Sequence, residues 1–148
     1  MKSLILLTAA NLAFAMNDAH RSFVQICQEN GWTTESYTVI TLDGYVSQLY
    51  RIPGKAGEQP LHKPAVLMMA GIECDMNFWT SNDPTITPAF VLANAGYDVW
   101  LANNRGTRFG TAHVSLDTKS EEYWNFNQEQ MALYDLPANI DFVLKHTG

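Results

Sequence analysis

Residues 65–79, AVLMMAGIECDMNFW, constrain the fold more than any other stretch of the chain. Six apolar residues run without interruption up to Gly71, after which the sequence becomes polar. A short apolar run that ends at a glycine turn is typical of a strand buried on both faces, in the middle of an α/β sheet covered by helices. In such sheets the loop at the carboxyl end of a strand carries the chemistry, so Gly71 and Ile72 mark a candidate site.

The segments around this run carry the signals of further strands and helices. Two alternating stretches joined by Leu42-Asp43-Gly44 predict a β-hairpin. Helical spacing before Gly31 predicts a short first helix, and Thr87-Pro88 with Gly96 gives the start and stop signals of a second. The predicted elements are a helix within Asn17–Gly31, strands Glu35–Ile40 and Tyr45–Ile52, a helix over Ala89–Ala95 and a strand over Tyr97–Ala102.

The end of the chain predicts another helix, which begins with Asp135 as its cap and has Pro137 in its first turn, where a missing N–H is harmless. Its apolar residues fall at i, i+4, i+7 and i+8. They are Leu136, Ile140, Val143 and Leu144. Lys145 and His146 in the last turn favour the helix dipole. The order hairpin, strand, helix, strand, helix indicates an α/β fold with an antiparallel start and an unfinished, mainly parallel sheet.

The first fifteen residues predict a secretory signal. Lys2 precedes the apolar run Leu4–Leu7, and Ala13-Phe14-Ala15 has the small residues that a signal-peptidase site requires. A short buried helix is the alternative. We expect residues 1–15 to be removed, residues 16–148 to form the domain portion, and the protein to enter the secretory pathway. No other stretch is long enough to span a bilayer.

Charge and cysteine content exclude some partners and leave one question open. The net charge of −6, with nine scattered basic residues, argues against nucleic acid as a partner. Cys27 and Cys74 are the only cysteines. In a secreted chain they can form one disulfide or remain as two buried free thiols.

Several stretches resemble the N-terminal region of the acid lipases, the gastric and lysosomal acid lipases and related steryl ester hydrolases. These stretches are ESYTVITLDGY, YRIP, NAGYDVWLANNRG, EYWNF and EQMALYDLPANIDFVLKHTG. The resemblance covers residues 30–148 and implies an α/β-hydrolase fold. It also implies hydrolysis of lipid carboxylic esters, triacylglycerols or steryl esters, by a Ser-His-Asp triad without a metal or organic cofactor. An extracellular and a lysosomal destination both stay open.

The triad itself has no candidate in these residues. A nucleophile elbow reads G-x-S-x-G, and the sequence contains no such motif. Ser81, Ser115 and Ser120 are expected to be loop or cap hydroxyls. The four histidines are likewise not expected to act as the general base. They are His20, His62, His113 and His146.

One catalytic element is implied by the resemblance. The family's loop reads Q-H-G-L, and aligning its glycine with Gly71 makes the Ile72 backbone N–H half of an oxyanion hole. Asn104 and Arg105 match the family's N-S-R-G and are expected to shape the loops near the site; for Arg105 a structural role is favoured over a substrate role. Ala70 replaces the family's histidine. Glu73 brings a carboxylate close to the developing negative charge, which would oppose it by on the order of 1 kcal/mol.

Other polar and aromatic residues are expected to have ordinary roles. Glu121 with Glu122, or Asp117 with Glu121, could form an acid/base pair or, with His113, a set of metal ligands. Their spacing matches no ligand motif and favours a solvated acidic loop. The tryptophans Trp79, Trp100 and Trp124 are expected in the core or in grooves of the fold, with lipid contact an option for Trp79 alone.

Three hypotheses about the whole molecule follow. The chain is part of an acid lipase, a non-catalytic protein that keeps a lipid-binding or partner-binding surface, or one component of an enzyme completed by a second chain. In each case we expect no catalysis by these residues alone. Without the elbow strand, Ala65–Met69 would lie at the sheet edge, where unpaired backbone groups favour self-association.

Overall fold

The computed structural model describes residues 21–58 and 62–148, which form an α/β fold with a four-stranded mixed sheet. The predicted signal peptide, with its boundary after Ala15, lies outside these residues and stays a prediction. The strands are β1 (Glu35–Ile40), β2 (Val46–Ile52), β3 (Ala65–Met69) and β4 (Asp98–Ala102). The α-helices are α1 (Phe23–Glu29), α2 (Pro88–Asn94), α3 (Gln128–Gln130) and α4 (Leu136–Thr147). A 3₁₀ turn covers Met76–Trp79 and a π-helical turn covers Met131–Asp135.

The sheet has the order β1-β2-β4-β3, so β3 is an edge strand. β1 and β2 form the predicted antiparallel hairpin, β2 pairs antiparallel with β4, and β3 runs parallel to β4. All five residues of β4 are buried, whereas Ala65 is exposed and only Met68 in β3 is fully buried. The prediction of β3 as a strand buried in the middle of the sheet is therefore wrong, and the expectation of an edge is confirmed. β4 lies inside the sheet, where it pairs with β2 on one side and with β3 on the other.

The alternation of side chains along β3 and β4 builds one core on each face of the sheet. Val99 and Leu101 point towards α1, α2 and the 3₁₀ turn, in a core that also contains Met68 and Phe90. Trp100 and its neighbours point towards α4. This second core contains Val39, Leu49, Trp100, Ala102 and Val143, with Leu67 and Met69 packed against it. The sheet is thus a middle layer between helices, as an α/β fold requires.

Helix α1 lies within the predicted stretch Asn17–Gly31, and a capping box fixes its start at Phe23. The Ser22 hydroxyl accepts the Gln25 N–H, and the Gln25 side chain accepts the Ser22 N–H. Gly31 follows the helix with a φ of +79°, a conformation that favours glycine. Helix α2 begins at Pro88 as predicted, although Thr87 makes no side-chain cap hydrogen bond; its hydroxyl donates to the Asp83 carbonyl instead.

The final helical segment begins earlier than predicted. Asn127 and Gln130 form a capping box for α3, and the helix continues through the π-helical turn into α4. Asp135 therefore lies inside the helical segment and makes no side-chain cap hydrogen bond, so its predicted role as a cap is wrong. The turn widens just before Pro137, whose ring cannot fit against a regular preceding turn.

No helix in residues 21–58 and 62–148 is long and apolar enough to cross a membrane.

Candidate functional site

The candidate site is the loop that leaves the carboxyl end of β3. Gly71 is exposed, and a Cβ at this position would meet no atom within 4 Å. The Cys74 N–H donates to the Gly71 carbonyl at 3.2 Å, which closes a turn over Gly71, Ile72, Glu73 and Cys74. Glu73 has a φ of +60° in this turn, where glycine or asparagine is more usual. The loop therefore has a defined backbone shape that presents Ile72 at its tip.

Ile72 has the exposure that a backbone donor to a ligand needs. Its residue surface is 52% exposed. Its N–H donates to no acceptor within the part of the chain that the structure describes. A free N–H on a fixed turn can stabilise negative charge on a bound oxygen without first breaking a protein hydrogen bond. The Glu73 side chain is also exposed, so its carboxylate is solvated here.

Two consecutive asparagines at the end of β4 hold the two ends of this loop. Asn104 Nδ2 donates to the Ala70 carbonyl at 2.8 Å. Asn103 Oδ1 accepts the Met76 N–H at 2.9 Å, and its Nδ2 donates to the Gln48 carbonyl at 2.7 Å. Both asparagines are buried, so these hydrogen bonds are shielded from water. The Asn104 contact fits the expected loop-shaping role, while the role of Asn103 has no signal in the sequence.

The aromatic residues beyond the loop extend its attachment to the sheet. Trp79 is partly buried, and its Nε1 donates to the Met69 carbonyl at 3.2 Å. Phe78 packs edge-to-face on Trp79 at 5.0 Å between ring centroids and is 60% exposed. The loop thus combines an anchored backbone with exposed apolar side chains at Ile72 and Phe78.

Arg105 forms a buried ionic centre that joins distant parts of the chain. Its guanidinium binds the Asp43 carboxylate through two hydrogen bonds of 2.7 and 2.9 Å, and its Nε donates to Asp135 at 2.8 Å. It also lies 3.8 Å from the Tyr45 ring centroid, a cation–π contact. These partners occupy the guanidinium and fit the structural role favoured for Arg105. The structure places it against Asp43 and Asp135 rather than against the Gly71 turn.

The electrostatics of this centre follow from its burial and its pairing. Burial raises the pKa of Asp43, but hydrogen bonds from Arg105 and Thr41 outweigh this and leave the pKa below its ordinary value. Burial lowers the pKa of Arg105, but the hydrogen bonds that it donates to Asp43 and Asp135 outweigh this and leave its pKa raised. Both shifts favour the charged forms of Asp43 and Arg105, so the ion pair between them is kept at neutral pH.

The serines and histidines within the described ranges have local partners. Ser81 donates to the Asn77 carbonyl and Ser120 to the Asp117 carbonyl, as expected for loop hydroxyls. His113 Nδ1 accepts the N–H groups of Ser115 and Leu116, which puts its ring proton on Nε2, 2.9 Å from the Asp43 carbonyl. His146 stacks on Phe142, and His62 is exposed. His20 lies outside the described residues.

The remaining acidic and aromatic candidates lie on the surface or in the core. Glu121, Glu122 and Asp117 are exposed, as expected for a solvated acidic loop. Trp100 is fully buried in the core, whereas Trp124 is 49% exposed and lines a surface groove with Lys119 and Asn125, so both lie where core or groove positions were expected. Trp124 covers the surface loop, where its Nε1 donates to the Thr118 carbonyl.

Both cysteines are free thiols, which decides between the two alternatives left open by the sequence. Cys27 is fully buried in the core beneath α1, and burial raises its pKa to about 12. Cys74 is partly exposed on the candidate loop.

Comparison with known proteins finds similarity to lipases. Residues 23–83 match the family described as a partial alpha/beta-hydrolase lipase region. Human lipase member K is 42% identical over 133 residues, which cover 88% of this chain and 33% of the relative. Bovine gastric triacylglycerol lipase is 41% identical over 133 residues, covering 88% and 34%. A putative lysosomal acid lipase/cholesteryl ester hydrolase from Crotalus adamanteus is 42% identical over 120 residues, covering 80% and 30%. The chain thus spans about a third of the length of these curated relatives.

Proposed function

This chain belongs to the acid lipase family of α/β-hydrolases, and from that premise we propose that its residues 71–79 supply half of the oxyanion hole of a lipid ester hydrolase. The observation that carries the proposal is that Ile72, an exposed residue on a turn anchored by Asn103 and Asn104, has an N–H that donates to no acceptor among the described residues. The substrate class is a carboxylic ester of a lipid, a triacylglycerol or a steryl ester, as the relatives' names indicate for those proteins.

The chemistry assigned to Ile72 is stabilisation of charge in acyl transfer. When a nucleophile attacks the ester carbonyl, the carbonyl oxygen becomes negative, and a fixed N–H donor binds it more strongly than the neutral ester. One such donor contributes roughly 3 to 4 kcal/mol to the transition state. The second donor in a nucleophile elbow follows the serine. Since the 148 residues contain no G-x-S-x-G, we propose that they hydrolyse no ester by themselves.

The place of action that we propose is the secretory pathway, ending outside the cell or in the lysosome. The relatives include gastric and lysosomal enzymes, and residues 1–15 have the pattern of a secretory signal. N-x-S/T glycosylation motifs do not occur in the sequence, so attached glycans give no support for either destination.

A chimera tests the catalytic proposal directly. Residues 21–148 replace the corresponding segment of bovine gastric triacylglycerol lipase, and hydrolysis of a short-chain triacylglycerol is measured. We expect turnover, and we expect Ile72→Pro, which removes the N–H, to lower kcat by about 100- to 1000-fold. Ile72→Leu keeps the N–H and serves as the matched control. If a folded Ile72→Pro chimera were as active as the control, Ile72 would not be the donor.

The isolated chain provides the complementary measurement. We expect a serine-directed phosphonate to label no residue of the isolated chain and to leave the background rate of ester hydrolysis unchanged. Labelling of a serine, with loss of hydrolysis, would contradict the proposed lack of activity. A folded chimera without turnover would favour the alternative of a non-catalytic protein that keeps a binding surface.

We also propose that the edge strand β3 mediates self-association. Its five residues are all apolar, whereas the other edge strand, β1, exposes Ser36 and Thr38. Unpaired N–H and C=O groups beside apolar side chains are a template for pairing with a second chain. Sedimentation velocity is expected to show association that Ala65→Lys reduces and Thr38→Lys on β1 does not. A monodisperse wild-type monomer would exclude this proposal.

A further inference from the structure

A cleft beside helix α1 is lined by two of the four arginines of the chain. It consists of two adjoining cavities of about 310 and 300 Å³, and Arg21, Asn77 and Arg108 line both of them. Of the four, Arg51 and Arg105 are held in ion pairs with buried aspartates and Arg21 is paired with Glu29, which leaves Arg108 as the arginine without an ion pair in the described residues. Although the chain has 15 acidic and nine basic residues, no acidic residue lines either cavity in the described part of the chain. The positive charge that the cleft offers to a ligand is therefore that of Arg108.

Arg108 is the group in this cleft that is best placed to bind an anion. It is exposed and makes no ion pair within residues 21–58 and 62–148, and its guanidinium carbon lies 5.4 Å from the Phe109 ring centroid. The backbone around it is fixed, because the Phe109 carbonyl accepts the Gln48 N–H of β2 at 2.8 Å. Arg21 is paired with Glu29 on α1. A planar guanidinium on a fixed backbone binds a carboxylate through two parallel hydrogen bonds.

One part of the wall of the larger cavity is aromatic, beside polar residues that include Gln25 and Asn77. Phe23 and Tyr50 pack edge-to-face with ring centroids 5.4 Å apart, and Tyr50 packs in the same way on Phe109 at 5.5 Å. All three rings line the cavity, which lies next to Arg108. An apolar wall next to a few polar groups is the usual construction of a site for a small amphipathic molecule. The side-chain amide of Asn77 makes no hydrogen bond in the described ranges, so it can donate to the same ligand.

We propose that this cleft binds a carboxylic acid with an alkyl chain, its carboxylate on Arg108 and Asn77 and its chain along Phe23, Tyr50 and Phe109. An uncharged lipid would leave the arginine without a partner, and a small inorganic anion would leave the aromatic wall uncovered. The biological source of such an acid, release by ester hydrolysis, rests on the proposed function, but the binding itself does not.

Equilibrium dialysis of labelled octanoate with the purified chain at neutral pH tests this site. We expect saturable binding, about tenfold weaker with Arg108→Gln because a hydrogen-bonded charge is lost. Lys119→Gln is the matched control, since it removes an exposed positive charge from a different loop, and its affinity should stay within about twofold of the wild type. Phe109→Leu should also weaken binding, because it removes part of the aromatic wall.

Octanol and acetate separate the contribution of the ligand's alkyl chain from that of its carboxylate. Both should bind more weakly than octanoate. The proposal is overturned if octanol binds as tightly as octanoate, if Arg108→Gln binds like Lys119→Gln, or if octanoate shows no saturable binding. Because no turnover is measured, failure of this test leaves the result of the lipase chimera unaffected, and the two proposals are judged separately.

Discussion

Asn104 Nδ2 donates a 2.8 Å hydrogen bond to the carbonyl of Ala70, which joins the end of the central strand β4 to the first residue after the edge strand β3. The two residues are both buried and 34 positions apart. A side chain that satisfies a backbone carbonyl at a strand end replaces the partner that a continuing strand would supply. The position of the Gly71 turn therefore depends on a residue that the β3 sequence does not contain.

Removing this side chain is expected to destabilise the protein. Asn104→Ala leaves the buried Ala70 carbonyl without its donor, so the free energy of unfolding should fall by about 1 to 3 kcal/mol. Urea denaturation followed by tryptophan fluorescence measures the change. Asn125→Ala, at an exposed position, is the control and should change stability by less than about 0.5 kcal/mol. Equal losses of unfolding free energy for both substitutions would show that the Asn104 hydrogen bond does not stabilise the protein.

Loss of the buried guanidinium should have a larger effect. Arg105→Met keeps much of the side-chain volume but leaves Asp43 and Asp135 without their partner, and the loss in unfolding free energy should be about 3 to 5 kcal/mol. Arg108→Met, at an exposed arginine three residues away, should cost less than about 0.5 kcal/mol. Thermal unfolding of the two variants in parallel gives the comparison. A small, equal loss in both would contradict the central role of Arg105.

Stability should decrease in acid because two paired carboxylates must be protonated. Burial raises the pKa of Glu35, but hydrogen bonds from Tyr37 and Arg51 lower it below its ordinary 4.5, and the pKa of Asp43 lies below 3.8. The folded state thus binds these protons less tightly than the unfolded state. Their stabilisation is complete above the unfolded values and is lost as the pH falls through the folded ones.

Denaturation curves at a series of pH values check this expectation. Unfolding free energy should fall progressively below pH 4.5, and the fall should be less steep for Glu35→Gln and for Asp43→Asn. As a control, Glu122→Gln changes an exposed carboxylate and should leave the slope as in the wild type. A wild-type stability that rises on acidification would have the wrong sign.

The two thiols should differ in reactivity. Iodoacetamide attacks thiolates, and burial of Cys27 with a pKa of about 12 leaves almost none in the folded protein. We expect mass spectrometry to find alkylation at the partly exposed Cys74 alone under native conditions, and at both residues in urea. Cys74→Ser should then show no native labelling. Rapid native labelling of Cys27 would mean that the core beneath α1 opens easily.

The strands were predictable because their signals are local. β1, β2 and β4 lie within two residues of their predicted limits, since alternation and turn residues mark them in the sequence. The places of β3 and β4 in the sheet were not predictable from the apolar run. Ala65–Met69 is as apolar as a central strand, and only the pairing of β4 with both β2 and β3 decides which is central.

The parts of the site that were missed depend on contacts between distant residues. Asp135 has the sequence context of a helix cap, yet its carboxylate accepts hydrogen bonds from Arg105, 30 residues earlier. Asn103 stands in an ordinary polar turn, yet its amide reaches Met76 and Gln48. Such roles have no periodic signal, because a single side chain in the right place is sufficient. Ile72 was found through resemblance to a family, and its free N–H supports that assignment.

Arg105 also has a consequence for how the chain is constrained. Its partners Asp43 and Asp135 lie 62 residues before it and 30 residues after it, so one guanidinium closes two long loops of the backbone. The entropy of closing a loop grows only with the logarithm of its length, which makes the longer closure little more costly than the shorter. Arg105 therefore acts as a reversible cross-link that holds the hairpin turn, the strand end and the last helix together in a protein without a disulfide between its two cysteines.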